Sequence, residues 1–204
     1  DLHSFPTRRS SDLWSYRKLC SEDFLGRIKR LISSGIKTIV LREKDLNDAE
    51  YEVLAREVMK LCDEKNVRCI LHSHVEVALK LKPKGVHLPL HEIEKLDETG
   101  RLKTFLSEFD FVGTSCHSVT EAKRAEALGC KYIFAGHIFE TDCKAGTPGR
   151  GLDFLREVIN SIKIPVYAIG GISPENVEIV MKSGALGACV MSGFTQDEPM
   201  VFDV

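Results

Sequence analysis

The alternation of short apolar strands with amphipathic helices constrains the fold of this chain more than any other sequence feature. Apolar runs such as Thr38–Leu41 and Val166–Ile169 are short and bounded by polar residues, as expected for buried strands. The segments between these runs repeat apolar residues at helical spacing. Such alternation favours right-handed βαβ units and a parallel sheet.

Counting a disturbed strand before Arg17, the pattern predicts eight strands and therefore a (β/α)8 barrel. The other predicted strands are 38–41, 67–71, 85–88, 111–115, 131–136, 166–169 and 188–191. The predicted helices are 21–34, 49–65, 75–81, 93–107, 118–128, 152–162 and 175–183. A doubly wound open sheet is the alternative, but its glycine-rich first turn is not found.

The two ends of the chain depart from this pattern. Residues 1–13 have neither a helical nor a strand period and lack the apolar region of a signal peptide, so we expect a non-native or disordered segment. Residues 14–204 are predicted to form a single barrel domain. Because the first strand looks defective and the last helix truncated, we expect a barrel open at the seam between its first and last strands.

Composition excludes several classes of partner. The chain has 204 residues and a net charge of -2 with both signs mixed, so nucleic acid is not an expected ligand. No apolar run approaches the ~20 residues of a membrane helix, and no membrane partner is expected. The seven cysteines are scattered without a CxxC pair, which indicates a reduced, cytoplasmic protein.

Glycines follow the last two predicted strands. Gly170 and Gly171 come after strand seven, and Met191, Ser192 and Gly193 come after strand eight. Glycines let backbone N–H groups approach an anion closely, and the loops after strands seven and eight bind phosphate in many barrels. The pattern therefore predicts a phosphate site, with simple tight turns as the alternative.

Two histidines follow neighbouring strands at the same predicted edge. His137 ends strand six, where the ordinary histidine pKa of about 6.5 would suit proton transfer. The alternative is a structural histidine whose ring bonds a loop carbonyl. His117 lies just past strand five and could line the mouth of the barrel or cap the next helix. His137 is the first candidate for a catalytic group.

Cationic side chains stand at two strand ends. Arg42 and Lys44 follow strand two, and Lys144 lies in the loop after strand six. Each could pair with a phosphate or carboxylate of a ligand. A solvated rim with an Arg–Glu ion pair is the alternative.

His72 and His74 raise the question of a metal. Histidines at i and i+2 on a strand face the same side, and with other histidines they could hold zinc or iron. However, no acidic residue stands at a strand end in an obvious ligand position, and a helix begins at Val75. We therefore predict no metal ligands.

Taken together, these motifs resemble the thiamine phosphate synthase superfamily in type and order. The resemblance rests on residues 41–44, 85–88, 136–144, 168–172 and 190–193. It implies one of two activities on the same barrel. The synthase branch joins a pyrimidine pyrophosphate to a thiazole phosphate with Mg²⁺, and the TenI-like thiazole tautomerase branch aromatises a carboxylated thiazole phosphate by moving a proton.

The chain departs from the synthase pattern where that branch binds metal. The synthase pattern Asn-Asp-Arg after strand three is replaced by His72-Ser73-His74. After strand four, Gly-Gln-x-Asp is replaced by Pro89-Leu90-His91-Glu92. Residues 136–144 are instead similar to the tautomerase branch.

The resemblance therefore leads us to expect an isomerase, a thiazole tautomerase without cofactor, with Mg²⁺ required only for the synthase alternative. His137 would move the proton and His117 would assist it. A phosphorylated thiazole would bind the glycine turns and the cations, and a homodimer is an expected assembly. The alternatives are thiamine phosphate synthase and a non-catalytic regulatory barrel. The expected ligand contacts are Arg42, Lys44, Lys144, Gly170, Gly171, Met191, Ser192 and Gly193.

Overall fold

The computed structural model describes residues 11–15, 17, 23–141 and 146–190. These residues form a closed barrel of parallel strands in the order β1 to β8, which confirms the predicted fold. The strands are Ser11–Trp14, Thr38–Leu41, Arg68–His72, Gly85–His87, Phe111–Cys116, Tyr132–Gly136, Val166–Ile169 and Gly187–Val190. The helices α1 to α8 are Phe24–Ser33, Asp48–Asp63, Val75–Leu81, Leu90–Glu98, Leu102–Ser107, Val119–Ala127, Gly151–Ser161 and Val177–Lys182.

Strand β1 closes the barrel. It pairs in parallel with β2 on one side and with β8 on the other, so that Asp12 lies opposite both Thr38 and Cys189. The expectation of an open seam is therefore wrong. The strand begins at Ser11 and so includes residues 11–13, which were predicted to belong to a non-native or disordered segment. Residues 191–204, where the last helix was expected to be truncated, lie outside the described residues.

The segment predicted as one helix over 93–107 forms two helices. Helix α4 ends at Glu98 and α5 begins at Leu102. Between them Gly100 has φ +68°, a left-handed conformation that glycine adopts at helix C-termini. Each of the two short helices has its own buried side chains.

Aromatic side chains fill the barrel interior. Phe111, Tyr132, Phe134 and Tyr167 pack there with Trp14. Glycines on neighbouring strands make room for these rings, since a Cβ at Gly85 would lie 1.9 Å from the Phe111 ring and one at Gly113 would lie 2.3 Å from the Tyr132 ring. Small and large side chains thus share the interior layers, as in other barrels of this type.

A larger apolar layer separates the sheet from the surrounding helices. Helix α2 contributes Tyr51, Ala55 and Val58, all fully buried against β2 and β3. Its start is fixed by a capping box, in which the Asn47 side chain accepts from the N–H of Glu50 and the Glu50 carboxylate accepts from the N–H of Asn47. Among the described residues, none of the helices has the length and apolar character that crossing a membrane requires.

Candidate active site

A cavity of about 890 Å³ opens at the carboxyl ends of the strands. Its walls come from the carboxyl-terminal parts of strands β1 to β8 and from the residues that follow them. A volume of this size accommodates small-molecule ligands. The residues that matter most for its chemistry are Arg42, Lys44, His72, His87, Ser115, His117, His137, Gly170 and Gly171.

The structure brings six of the candidate residues into this one cavity. Arg42, Lys44, His117, His137, Gly170 and Gly171 all line it. Lys144, Met191, Ser192 and Gly193 lie outside the described residues, so the strand-eight half of the anticipated phosphate site is not described. The functional roles of all ten residues stay predictions.

His117 is held by two hydrogen bonds at the end of β5. Its Nδ1 lies 2.6 Å from the carbonyl oxygen of Gly136. A carbonyl only accepts, so Nδ1 carries the proton, and in the neutral ring Nε2 keeps its lone pair. The backbone N–H of His117 donates to the Glu121 carboxylate over 2.5 Å. The first bond orients the ring, and the second holds the backbone of His117 at the cavity wall.

His137 is held by the loop that follows it. Its Nε2 lies 3.1 Å from the carbonyl oxygen of Pro148 and 3.3 Å from that of Thr147. Nε2 is therefore the protonated nitrogen, whereas Nδ1 is buried without a hydrogen-bond partner in the described residues. The loop-carbonyl alternative considered for this histidine is thus the arrangement found.

The Gly170-Gly171 turn packs directly against His137 and the residues after it. Both glycines have positive φ, +98° and +65°. A Cβ at Gly170 would lie 2.4 Å from the His137 Cβ, and one at Gly171 would lie 2.5 Å from the Glu140 carbonyl oxygen. Glycine is required at both positions for conformation and for space.

Arg42 and Lys44 line the cavity while the intervening Glu43 turns away from it. Glu43 is buried, and its carboxylate accepts from the Ser15 hydroxyl over 2.8 Å and from the backbone N–H of Arg17. Burial raises the pKa of Glu43 despite these bonds. The Glu43 carboxylate is thus directed to Ser15 and Arg17, whereas Arg42 and Lys44, which follow β2, line the cavity.

His72 and His87 form a neutral floor that sequence reasoning did not assign. They lie opposite each other in the β3–β4 register and stack with ring centroids 5.4 Å apart. His87 contacts the Tyr132 hydroxyl at 3.2 Å and the Ser115 hydroxyl at 3.0 Å. Burial and then the Arg42 charge lower the pKa of His87 to about 3. Burial likewise lowers the pKa of His72 well below its usual range.

Trp14 completes this floor. Its ring lies 5.3 Å from the rings of both His72 and His87, edge-on to each. The Arg42 guanidinium lies 5.5 Å from the Trp14 centroid, within cation–π range. Sequence reasoning missed Trp14 because it stands in the strand that looked defective. The signal in the sequence that could have pointed to Trp14 was its position as the first residue of the predicted barrel domain.

His72 and His74 do not face the same side. Strand β3 ends at His72, and Ser73 and His74 have φ +57° and +48°, which breaks the strand alternation. His74 stacks on Tyr51 at 3.9 Å and contacts Asp48 at 2.6 Å, outside the cavity. The left-handed turn therefore separates the two histidines, which a regular strand would have placed on the same side.

Curated relatives are similar to this chain over nearly their whole length. A thiamine-phosphate synthase of Fusobacterium nucleatum is 32% identical over 184 residues, which cover 89% of this chain and 86% of the relative. A thiamine-phosphate synthase of Clostridium acetobutylicum is 30% identical over 178 residues, covering 87% and 82%. The thiamine phosphate pyrophosphorylase from Pyrococcus furiosus superposes with a TM-score of 0.79 at 28% identity, covering 94% of this chain and 90% of that structure.

These relatives correct the activity expected from the sequence. The thiazole tautomerase interpretation is wrong, because the relatives at 30% identity and above are named synthases. The Nε2 atom of His137 is bonded to two loop carbonyls, and the role of this histidine stays a prediction.

A family model described as "Thiamine monophosphate synthase" matches residues 15–194. The match spans the strands from β2 to β8 and all the cavity residues that follow them. The order of the motifs, the barrel fold and the named relatives all indicate the same family, and none of them depends on a single residue. This chain belongs to the thiamine monophosphate synthase family.

Proposed function

We propose that this protein is a transferase that joins a phosphorylated thiazole to a pyrimidine diphosphate and releases diphosphate. The observation that carries the proposal is the meeting of Arg42 and Lys44 with the Gly170-Gly171 turn in one cavity. The cations suit a diphosphate leaving group, and the glycine turn suits a phosphate monoester. The names of the relatives support the same activity.

The chemistry asks little acid–base work of the protein. The thiazole nitrogen would attack the exocyclic carbon of the pyrimidine with its own lone pair, forming a C–N bond. The carbon–oxygen bond to diphosphate would break, and diphosphate would leave with that electron pair. No proton has to be removed. Catalysis therefore depends on holding two substrates in line and stabilising the leaving group's negative charge.

The neutral floor suits the uncharged rings of such substrates. His72, His87 and Trp14 present aromatic faces beside the cations, and both imidazoles remain uncharged near neutral pH because burial lowers their pKa values. A pyrimidine carbocation, or a positive charge that develops on the pyrimidine, would be stabilised there by aromatic rings rather than by an ionised carboxylate. A cytoplasmic location and a homodimer stay predictions.

The residues present do not fit the magnesium site that the synthase branch implies. Mg²⁺ prefers oxygen ligands in an octahedral arrangement. The segment after β3 carries His72, Ser73 and His74, and within the described part of the chain no group of three or more His, Cys, Asp or Glu side chains could hold a metal ion. Glu121 accepts from the His117 N–H, and Glu94 pairs with Arg124 at 3.3 Å. No step is therefore assigned to a metal.

The test is product formation from the two substrates. Purified protein is incubated with the pyrimidine diphosphate and the thiazole phosphate, and thiamine phosphate is measured after oxidation to its fluorescent thiochrome derivative. We expect turnover that falls at least tenfold in Arg42→Gln and is unchanged in Lys103→Gln, an exposed cation on α5. Absence of thiamine phosphate with and without Mg²⁺, from protein shown to be folded, would disprove the transferase assignment.

A further inference from the structure

The side chain of His74 lies outside the cavity and is held by two residues of α2. Its ring stacks on the ring of Tyr51, with centroids 3.9 Å apart and planes 14° apart. Its Nδ1 lies 2.6 Å from a carboxylate oxygen of Asp48, and because a carboxylate only accepts, Nδ1 carries the proton. Asp48 and Tyr51 are three positions apart on α2 and share one face. Together they fix the ring of His74 in one orientation.

Tyr51 connects this stacked ring to two strand ends. The Tyr51 hydroxyl donates to the carbonyl oxygen of Leu41 over 2.7 Å and accepts from the N–H of His72 over 3.1 Å. Leu41 and His72 are the last residues of β2 and β3. The aromatic ring that His74 covers is therefore the ring whose oxygen joins these two strands at the mouth of the barrel.

The backbone provides a second connection from His74 to the cavity. Ser73 and His74 have φ +57° and +48°, a left-handed conformation that is unfavourable for most side chains and persists where surrounding contacts impose it. The N–H of Ser73 donates to the carbonyl oxygen of His87 over 2.9 Å. The Ser73 hydroxyl lies 2.9 Å from Nδ1 of His72. The turn that His74 holds thus places the hydroxyl that orients the His72 ring.

Both connections end at the ring of His72, which lines the cavity. This ring lies 5.3 Å from the ring of Trp14 and 5.4 Å from that of His87. Trp14 is only 7% exposed. A change in the orientation of His72 would therefore open the packing around Trp14.

We propose that His74 is a positioning residue, which sets the orientation of the His72 ring and so keeps the cavity floor closed around Trp14. The ligand that this floor receives rests on the proposed function, whereas the positioning does not. The synthase pattern has arginine in place of His74. A guanidinium is planar, stacks on aromatic rings and donates to carboxylates, so arginine can make the same two contacts to Tyr51 and Asp48.

The fluorescence of Trp14 provides a direct test, because Trp14 is the single tryptophan of the 204 residues. Its accessibility is measured as the constant for quenching by acrylamide. In His74→Asn the stacked ring is lost, and asparagine still tolerates the left-handed backbone. We expect the quenching constant to rise at least twofold in His74→Asn and to return close to its original value in His74→Arg.

Lys82→Asn is the matched control at the other end of α3. Lys82 also has positive φ, +50°, and pairs with Glu108 at 2.9 Å. Lys82 is exposed, and it is not part of the cavity wall among the described residues. We expect Lys82→Asn to leave the quenching constant unchanged. An equal rise in Lys82→Asn and His74→Asn would show a general loosening of α3 and would overturn the inference.

Circular dichroism establishes that each variant is folded. An unchanged quenching constant in folded His74→Asn, or no recovery in folded His74→Arg, would overturn the inference. If His74→Asn does not fold, Asp48→Ala takes its place, since it removes the acceptor of Nδ1 at an exposed position. A raised constant in Asp48→Ala would then support the positioning role, and an unchanged constant would overturn it.

The two proposals fail in different ways. A raised quenching constant in His74→Asn, together with no thiamine phosphate from the unchanged protein, would refute the transferase assignment and leave the positioning role standing. Formation of thiamine phosphate together with an unchanged quenching constant in His74→Asn would refute the positioning role and leave the transferase assignment standing.

Discussion

His117 donates a hydrogen bond from Nδ1 to the carbonyl oxygen of Gly136 over 2.6 Å, joining the ends of β5 and β6 at the cavity. Asparagine can place its side-chain N–H near the position of Nδ1, whereas alanine cannot. We expect His117→Ala to lower the free energy of unfolding by about 1–2 kcal/mol, because a carbonyl loses its partner. His117→Asn should recover at least half of that loss. Urea titration measures both, and equal losses in the two variants would contradict this role.

His137 should act as an anchor for the loop after β6. Glutamine can present an N–H where Nε2 stands and can keep the bond to the Pro148 carbonyl, whereas alanine removes it. We therefore expect His137→Gln to keep turnover within about tenfold and His137→Ala to lose more. A proton-transfer role would instead cost both variants about 10²–10⁴-fold.

The pH dependence of turnover separates these two roles further. An anchoring histidine should leave the shape of the pH–rate profile in His137→Gln like that of the unchanged protein. Loss of one limb of the profile in this variant would indicate that His137 titrates during the reaction. The profile is recorded between pH 5.5 and 8.5, a range of about three units around the ordinary histidine pKa.

Stability should fall as the solution is acidified through the range of the buried histidines. The pKa of His87 in the folded protein is about 3, against an ordinary value of 6.5. Between these values the unfolded chain binds the proton and the folded chain does not, so stability is full above pH 6.5 and is lost as pH falls toward 3. The loss approaches about 1.4 kcal/mol per pH unit for this group.

A His87→Gln variant tests the source of that loss. Glutamine does not titrate, so the slope of unfolding free energy against pH between 4 and 6 should fall by about one proton. Urea titrations at several pH values give both slopes. An unchanged slope in His87→Gln would show that His87 binds its proton in the folded protein as it does in the unfolded chain, and would contradict the prediction.

The Tyr51 hydroxyl should stabilise the strand ends that carry Arg42 and His72. It donates to the Leu41 carbonyl and accepts from the His72 N–H while fully buried. Removal of the oxygen in Tyr51→Phe leaves both backbone groups unsatisfied and should cost about 2–4 kcal/mol. Val53→Ala, on the exposed face of the same helix, is the control and should change stability by less than about 0.5 kcal/mol. A loss in Tyr51→Phe as small as in the control would contradict this role.

The Gly170-Gly171 turn should bind the phosphate of the thiazole substrate. Gly171→Ala adds a Cβ 2.5 Å from the Glu140 carbonyl oxygen at φ +65°. Gly100→Ala imposes similar strain at φ +68° but meets no atom within 4 Å. We expect the affinity for thiazole phosphate, measured by calorimetry, to fall at least tenfold in Gly171→Ala and to stay within twofold in Gly100→Ala. Equal effects would attribute the loss to backbone strain alone.

The order of strands and helices was largely evident in the sequence, because each element buries a local apolar pattern. Strands β2 and β7 and helix α3 have the predicted bounds. The helix break at Gly100 was missed although the buried positions change face there, from Ile93 and Leu96 in α4 to Leu102 and Phe105 in α5. The closed seam was missed because only the pairing on both sides reveals that the strand before Arg17 is intact and begins at Ser11.

The sequence by itself determined the barrel and the residues that reach its mouth, since strand alternation brings the polar residue after each strand to one edge. Only the tertiary structure decided what those residues do there. The left-handed turn at Ser73 and His74 separated two histidines that a regular strand would have kept together. Register brought His72 against His87 and Trp14, and packing tied the expected proton carrier His137 to its own loop. Such contacts join distant parts of the chain, and their geometry is not encoded in local spacing.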